Sequence, residues 1–257
     1  MQSIWPYQLL LILIAPAVGS FLGVLVERLP RGQSVMGRSR CDGCDTPLRS
    51  VDLVPVISAL MLRGRCRSCG AKFPGHLLRI EIAALAAGIL VALTPSDPLS
   101  MFLTAAYLWC LIALFYCDLL WFRLPDQLTG ALFVLGLALA MLDPWRGWVD
   151  GLLSAAVASG AFLAIRIGYR ALRGREGLGL GDVKLMAGIG AAVGWAMVPV
   201  VTLLAALLGL SVVAARAVQD RTLPKGSQRL PLGTYLCAAT AMLLLVVQLG
   251  LAPSLNF

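Results

Sequence analysis

The sequence predicts an all-α, polytopic membrane protein with about eight transmembrane helices. Two observations carry this prediction. Hydrophobic residues make up 59% of the 257 residues and charged residues only 13%, whereas about a quarter of a soluble domain is charged. The net charge of +8 lies in loops between apolar runs, which is the pattern of membrane topology. This distribution argues against nucleic acid as a partner and makes the lipid bilayer the main one.

A helix crosses the hydrocarbon core with about 20 apolar residues, and about 17 still suffice. The stretch 185–215 contains no charged residue, and it fits either one long helix or two short ones broken near Gly194-Trp195 and Pro199. The other apolar segments that fit are Leu9–Val26, Leu77–Leu93, Leu99–Cys117, the shorter Leu128–Leu142, Trp148–Ile165 and Tyr235–Leu251.

The distribution of basic residues favours two helices in that stretch. If this stretch forms two helices, twenty of the 21 Lys and Arg face one side of the membrane and only Arg146 faces the other. Because basic loops stay in the cytosol, the chain is predicted to have eight spans with both ends outside. Residues 1–257 would form one membrane domain, with a cytosolic loop at 30–76 inserted between the first two helices.

That loop carries two CxxC pairs separated by 21 residues. Such spacing is close to that of structural zinc sites, and disulfides are disfavoured in the reducing cytosol. Four thiolates would close a tetrahedral shell, so the metal would shape the loop and carry no chemistry. The alternative is four unmetallated thiols. The predicted ligands are Cys41, Cys44, Cys66 and Cys69.

Two aspartates are candidates for a catalytic pair. Asp182 ends the glycine-rich run 177–181 and opens an apolar helix, and Asp118 follows the third predicted span. The topology places both at the cytosolic ends of their helices, where they could act as the two carboxylates of a membrane aspartic protease. The alternatives are a helix N-cap for Asp182 and a solvated helix end for each.

Other polar residues near these positions have simpler interpretations. Asp126 is expected to cap the fourth span, Glu81 to face the helix dipole in the first turn of the second, and Asp52 to be solvated in the loop. Lys184 is expected either to orient Asp182 or to anchor its helix among lipid headgroups.

These motifs together resemble the type IV prepilin peptidases, also called leader peptidase/N-methyltransferases. The resemblance runs nearly end to end. It rests on the two cysteine pairs flanking 52–58, on Asp118 followed by Pro125-Asp126, and on the run 179–185, Gly-Leu-Gly-Asp-Val-Lys-Leu. The resemblance implies that the chain is a membrane aspartic peptidase of the GxGD type.

The resemblance also implies a function. The enzyme would cut prepilins or pseudopilins after a glycine at the cytosolic face of the bacterial inner membrane. It would then methylate the new N-terminus from S-adenosylmethionine, for type IV pili or type II secretion. The site implied is Asp118 and Asp182, supported by Gly179, Gly181, Asp126 and Lys184.

The chain departs from the family pattern at a few positions. Gly23 stands where an asparagine is usual and Glu27 where a tyrosine is common, and 74–76 reads Pro-Gly-His rather than Arg-Tyr-Pro. The family associates the first helix and the loop with methyl transfer. Cleavage is therefore expected to be strong and methylation weak or absent.

Two other function classes fit parts of the pattern. A cation-coupled transporter would use the paired carboxylates to bind its ion, although the sequence contains no visible inverted repeat. A membrane scaffold would use the zinc loop to dock a cytosolic partner. A scaffold should tolerate Asp118→Asn and Asp182→Asn, whereas a peptidase should not.

Overall fold

The computed structural model describes residues 4–94, 96–220 and 230–249. Within those residues the protein is all helical, apart from two isolated antiparallel bridges in the loop after the first helix. Short 3-10 turns occupy Leu29–Arg31, Ser50–Leu53 and Trp195–Met197. The α-helices are α1 Trp5–Arg28, α2 Ile57–Met61, α3 Gly75–Ala92, α4 Pro98–Trp121, α5 Asp126–Leu142, α6 Trp148–Arg173, α7 Leu180–Val193, α8 Val198–Asp220 and α9 Leu232–Gln248.

Five helical segments in the described part of the chain are long and apolar enough to cross a membrane: those built on α1, α3, α4, α6 and α8. α5 and α9 are apolar but have 17 residues each, and α7 has 14. The all-α prediction is confirmed, and the protein has the helices of a multi-pass membrane protein. The count of eight spans stays a prediction.

The ambiguous stretch 185–215 is broken at the position that the sequence suggested. α7 ends at Val193, and Gly194 has a φ of 84°, a left-handed conformation that favours glycine. Pro199, the second suggested break, lies in the first turn of α8, where a missing N–H costs no helical hydrogen bond.

The third predicted span extends further than expected. α4 continues past Cys117 to Trp121, so Asp118 lies inside the last turn of a helix and does not follow it. This extension determines which groups surround its carboxylate.

The chain divides into two compact units, Met1–Ala113 and Leu114–Phe257. In the first unit α1 packs along α3. A Cβ added at Gly19 would lie 2.9 Å from the Cβ of Ala84, and one at Gly88 the same distance from the Cβ of Ala15. Glycine therefore lets these two helices approach closely at both positions.

In the second unit α7 lies between α5 and α6. A Cβ on Gly188 would meet Leu132 of α5 at 3.0 Å, and a Cβ on Gly190 would meet the Ser154 carbonyl oxygen of α6 at 2.6 Å. Two glycines two positions apart thus seat α7 against neighbours on two sides. The packing leaves no room for even one methyl group at Gly190.

Arg146 closes the C-terminal end of α7. Its guanidinium donates to the carbonyl oxygens of Ala192 at 2.7 Å and Ala191 at 2.9 Å, and its Nε donates to Asp150 at 2.6 Å. The last carbonyls of a helix have no partner within the helix. The one basic residue predicted on the outer side is thus a helix cap.

Candidate active site and metal centre

Asp118 lies in the last turn of α4 and is only 7% exposed. One carboxylate oxygen, Oδ2, accepts two hydrogen bonds from Thr234: from the backbone N–H at 2.7 Å and from the hydroxyl at 3.1 Å. A solvated helix end was one interpretation of this residue, and the burial shows that interpretation to be wrong.

The start of α9 is shaped to receive the Asp118 carboxylate. Thr234 is the third residue of α9, so its N–H is one of the helix-initial donors that lack a partner within the helix. A Cβ on Gly233 would lie 3.1 Å from Asp118 Oδ2 and 3.1 Å from Leu124 Cδ1. Glycine at 233 therefore lets the carboxylate reach the helix end.

Sequence reasoning missed Gly233 and Thr234, although a signal was available. The predicted topology already started the last span, at Tyr235, on the same side as Asp118. A small residue and a hydroxyl residue immediately before that span were therefore candidates to contact the carboxylate.

Asp182 is the third residue of α7 and is partly exposed. Its Oδ2 accepts the backbone N–H of Gly179 at 3.3 Å, and Gly179 holds the N-cap position. The N-cap prediction for Asp182 is therefore corrected: the carboxylate reaches back from the first turn to the cap. Next to it, a Cβ on Gly181 would be only 3.0 Å from Leu124 Cβ.

The negative charge of Asp118 affects the protonation of Asp182. Asp182 lies outside the five candidate spans, and its pKa is raised from 3.8 to about 6. Burial is the largest cause and the negative charge of Asp118 the second, while the Gly179 N–H acts in the opposite direction. A like charge disfavours ionisation only when it is near. Leu124 lies close both to Gly181, next to Asp182, and to Gly233, next to the Asp118 carboxylate.

Lys184 pairs with Asp126, at 2.6 Å between Nζ and Oδ1. Both side chains are largely exposed, at 51% and 71%. The predicted cap at Asp126 is wrong, since Pro125 holds the N-cap position of α5 with no side-chain cap. The Lys184 ammonium thus pairs with Asp126 in place of Asp182, and its anchoring among lipid headgroups stays a prediction. The pair links α5 to α7 beside Asp182.

The four predicted zinc ligands lie together, with all their Sγ atoms within 4.8 Å of one another. Two of the separations are 3.7 Å, for Cys41 and Cys69, and 4.0 Å, for Cys44 and Cys66. Zinc bound tetrahedrally at about 2.3 Å from sulfur requires sulfurs about 3.8 Å apart. The cluster therefore fits one zinc ion with a closed shell.

The two cysteine turns repeat the same backbone design 25 residues apart. Cys41 N–H bonds the Thr46 carbonyl and Cys66 N–H bonds the Ala71 carbonyl. The N–H groups of Gly43 and Ser68 each lie 3.4 Å from the first sulfur of their turn. Antiparallel bridges close both turns, Arg40 to Pro47 and Arg65 to Lys72.

Two further acids have partners that the sequence did not reveal. Asp52 is not solvated: its side chain is 6% exposed and accepts two hydrogen bonds from Arg67. Glu81 lies in the second turn of α3, not the first, and its Oε2 accepts the Val56 N–H at 2.8 Å. Both acids therefore hold the cysteine loop in place.

Two of the departures from the family pattern contact each other. His76 Nε2 lies 2.5 Å from Glu27 Oε1, and Arg31 bonds the other Glu27 oxygen at 2.8 Å. The histidine before the second span and the glutamate ending the first helix thus form one cluster. Gly23 lies close by in α1, where an added Cβ would be 3.1 Å from Leu77.

Comparison with known proteins identifies the family of this chain. The model of the bacterial peptidase A24 N-terminal domain matches residues 13–94, and that of the type IV leader peptidase family matches residues 105–214. A protein named prepilin leader peptidase/N-methyltransferase from Burkholderia pseudomallei (strain 1026b) is 34% identical, over 90% of this chain and 82% of its own. The chain belongs to the type IV leader peptidase family.

Other relatives carry the same name. The protein from Dichelobacter nodosus is 31% identical, over 75% of this chain and 77% of its own, and that from Aeromonas salmonicida is 30% identical, over 80% and 79%. No solved structure gives a significant match. The predicted family and the predicted class of enzyme, a leader peptidase, are confirmed.

Proposed function

We propose that this protein is a membrane aspartic endopeptidase that removes the leader peptide of type IV prepilins or pseudopilins. Asp118 and Asp182 are its catalytic carboxylates. Relatives along most of the chain's length are named prepilin leader peptidase/N-methyltransferase, which supports the substrate class and a second, methyl-transferring activity.

One observation carries the assignment of the carboxylates. They come from motifs 64 positions apart in the sequence, yet the negative charge of Asp118 is the second cause, after burial, of the rise in the pKa of Asp182 from 3.8 to about 6. Two interacting carboxylates that share a proton are the arrangement that hydrolyses an amide without metal or a serine nucleophile.

The pair would work through one proton. The ionised carboxylate takes a proton from water as that water attacks the scissile carbonyl carbon, while the protonated carboxyl donates a hydrogen bond to the carbonyl oxygen. We assign these roles to the pair jointly, because strongly interacting groups titrate as a unit. Thr234 orients Asp118, and the Gly179 N–H orients Asp182.

The two implied cofactors have different support. Zinc fits Cys41, Cys44, Cys66 and Cys69, which would fold the loop and leave the metal no open position. S-adenosylmethionine would supply the methyl group. In the described part of the chain no glycine-rich turn follows a strand to cradle it in the dinucleotide manner, so its binding residues are left unassigned.

The proposed location is the bacterial cytoplasmic membrane, with Asp118 and Asp182 on the cytosolic side. Support comes from the five apolar helices and from the basic loops on one side of the predicted topology. A substrate would then present its cleavage site at the cytosolic edge of its own apolar segment.

Single replacements test the proposal. Asp118→Asn and Asp182→Asn should each lower kcat for cleavage of a purified prepilin by about 10²–10⁴-fold, the usual contribution of general acid–base catalysis. Cleavage would be followed by mass spectrometry of the product in detergent or nanodiscs.

Asp126→Asn is the matched control, because this carboxylate is 71% exposed and pairs with Lys184. It should keep kcat within a few-fold of the unmodified enzyme. Near-normal cleavage by either Asp118→Asn or Asp182→Asn, in protein that inserts and elutes normally, would exclude the assignment. It would favour the transporter or the scaffold.

A further inference from the structure

An apolar stripe runs along the loop segment 51–61, which precedes α3 by about a dozen residues. Its members recur at every third position and end with two neighbours, along the 3-10 turn Ser50–Leu53, the non-helical residues 54–56 and the short helix α2. Large apolar side chains this exposed and this close together mark an interaction surface. They are Val51, Val54, Ile57, Leu60 and Met61, with exposures of 64%, 39%, 57%, 68% and 79%.

The charged side chain of this segment, Asp52, is buried, in contrast to the apolar ones. Asp52 is 6% exposed and accepts two hydrogen bonds from Arg67 of the second cysteine turn. A solvated loop would expose its aspartate and bury its leucines. This segment does the reverse, so its outer face is built for an apolar environment.

A hydrogen bond attaches the segment to α3. The Val56 N–H donates to Glu81 Oε2 at 2.8 Å. Glu81 lies six residues into α3, a candidate membrane span that begins at Gly75. At 1.5 Å per residue this is about 9 Å along α3 from its first residue, so Val56 is attached to the N-terminal third of a candidate membrane span.

Val56 itself has a φ of 62°, a conformation rare for a β-branched residue. The segment takes that conformation at a residue whose N–H bonds to α3. One segment thus combines an attachment to a candidate membrane helix with exposed apolar side chains.

Exposed arginines flank the stripe on both sides: Arg49 before it, and Arg63 and Arg65 after it. Basic residues beside an apolar segment at the membrane surface bind anionic lipid headgroups. We infer that residues 51–61 are an interfacial anchor, whose apolar stripe inserts among phospholipid headgroups while Arg49, Arg63 and Arg65 bind anionic lipids. The anchor holds the cysteine turns against the membrane surface.

Photo-crosslinking tests the anchor. The full-length protein would carry p-benzoylphenylalanine in place of Met61, in nanodiscs of phosphatidylglycerol and phosphatidylethanolamine or of phosphatidylcholine alone. Mass spectrometry should find lipid adducts in both, and more in the anionic nanodiscs. The matched position is Asp42, exposed in the first cysteine turn, where lipid adducts should be at least several-fold fewer.

A second set of variants tests the arginines. With the probe still at Met61, Arg63→Gln and Arg65→Gln should each reduce the preference for anionic nanodiscs by up to about fivefold. Unchanged zinc content would show that the loop still folds. Equal adduct yields at Met61 and Asp42, or adducts formed with a second copy of the chain or with an added prepilin in place of lipid, would overturn the inference.

Discussion

In the cysteine cluster the two halves have the same surroundings, whereas at the aspartate site the two carboxylates have different ones. Cys41 and Cys66 begin turns with the same backbone hydrogen bonds, 25 residues apart. Asp118 is buried and bonded twice to one threonine. Asp182 is partly exposed and accepts one longer bond from a backbone N–H.

The difference matches the chemistry that each site can perform. Four thiolates bound to one zinc ion would lie at similar distances from it, and two copies of one turn suit that arrangement. Acid–base catalysis needs two groups whose environments separate their proton affinities. Similar surroundings thus accompany the structural site, and different surroundings accompany the candidate catalytic one.

The largest expected effect comes from removing one of the two cysteine pairs. In the protein with Cys41→Ser and Cys44→Ser, bound zinc should fall from about one ion per chain to near zero. The loop should become open to proteolysis, because structural zinc contributes about 10–16 kcal/mol of apparent binding energy to folding. Elemental analysis and limited proteolysis would measure both.

Cys110→Ala is the control for that experiment, since Cys110 is buried in α4 away from the cluster. It should keep its zinc. Loss of zinc should reduce cleavage by the carboxylates less than it reduces the stability of the loop. Unmodified protein prepared without chelator and found free of zinc would contradict the structural role of the metal.

The next effect concerns the threonine that distinguishes Asp118 from Asp182. Thr234→Val removes the hydroxyl donor but keeps the shape and the backbone N–H. A hydrogen bond to a charged group is worth about 1.5–3 kcal/mol, so kcat should fall by about 10–100-fold. Thr234→Ser keeps a hydroxyl and should stay within a few-fold. Equal rates for the two variants would show that the hydroxyl is not needed.

A pH series tests the difference between the two carboxylates through the pKa of Asp182. Its pKa of about 6 in the folded protein lies above the usual 3.8, so folding favours the protonated form. Its stabilising contribution is fully present below about pH 3.8 and is lost as the pH rises through about 6. The total is at most about 3 kcal/mol.

Asp182→Asn should therefore flatten the decline in thermal stability between pH 4 and about pH 7. Asp126→Asn, at an exposed carboxylate, should leave that decline unchanged. The measurement is the unfolding midpoint in detergent at a series of pH values. A slope that is identical in the unmodified protein and in Asp182→Asn would contradict the raised pKa.

The last comparison concerns the two ends of α7, where the burial of the cations differs. Lys184→Gln removes a largely exposed pair, worth about 0–1 kcal/mol. Arg146→Gln leaves the Ala191 and Ala192 carbonyls short of donors, at about 1–3 kcal/mol each. Unfolding midpoints should rank Arg146→Gln below Lys184→Gln. The reverse order would contradict the capping role of Arg146.

The sequence predicted the apolar helices well because hydrophobic length and charge placement are local properties. It also located the break at Gly194, where glycine takes a left-handed φ. It misjudged the end of α4, since nothing in the residues after Cys117 shows that the helix continues to Trp121.

The partners of the charged residues could not be predicted in the same way. Thr234 is 116 positions from Asp118, and Asp126 is 58 positions from Lys184. Tertiary packing selects such pairs, and no periodicity in the sequence encodes them. The cysteine cluster is the exception, because its ligand spacing is itself a local motif.

The close packing of α7 has a consequence for how a substrate is cut. Gly190 has no space toward α6, and Gly188 has little toward α5, so α7 can neither rotate nor slide without steric overlap. The proposed catalytic aspartate is then carried by a rigid support. A substrate would then have to bring its scissile bond to the position of that carboxylate.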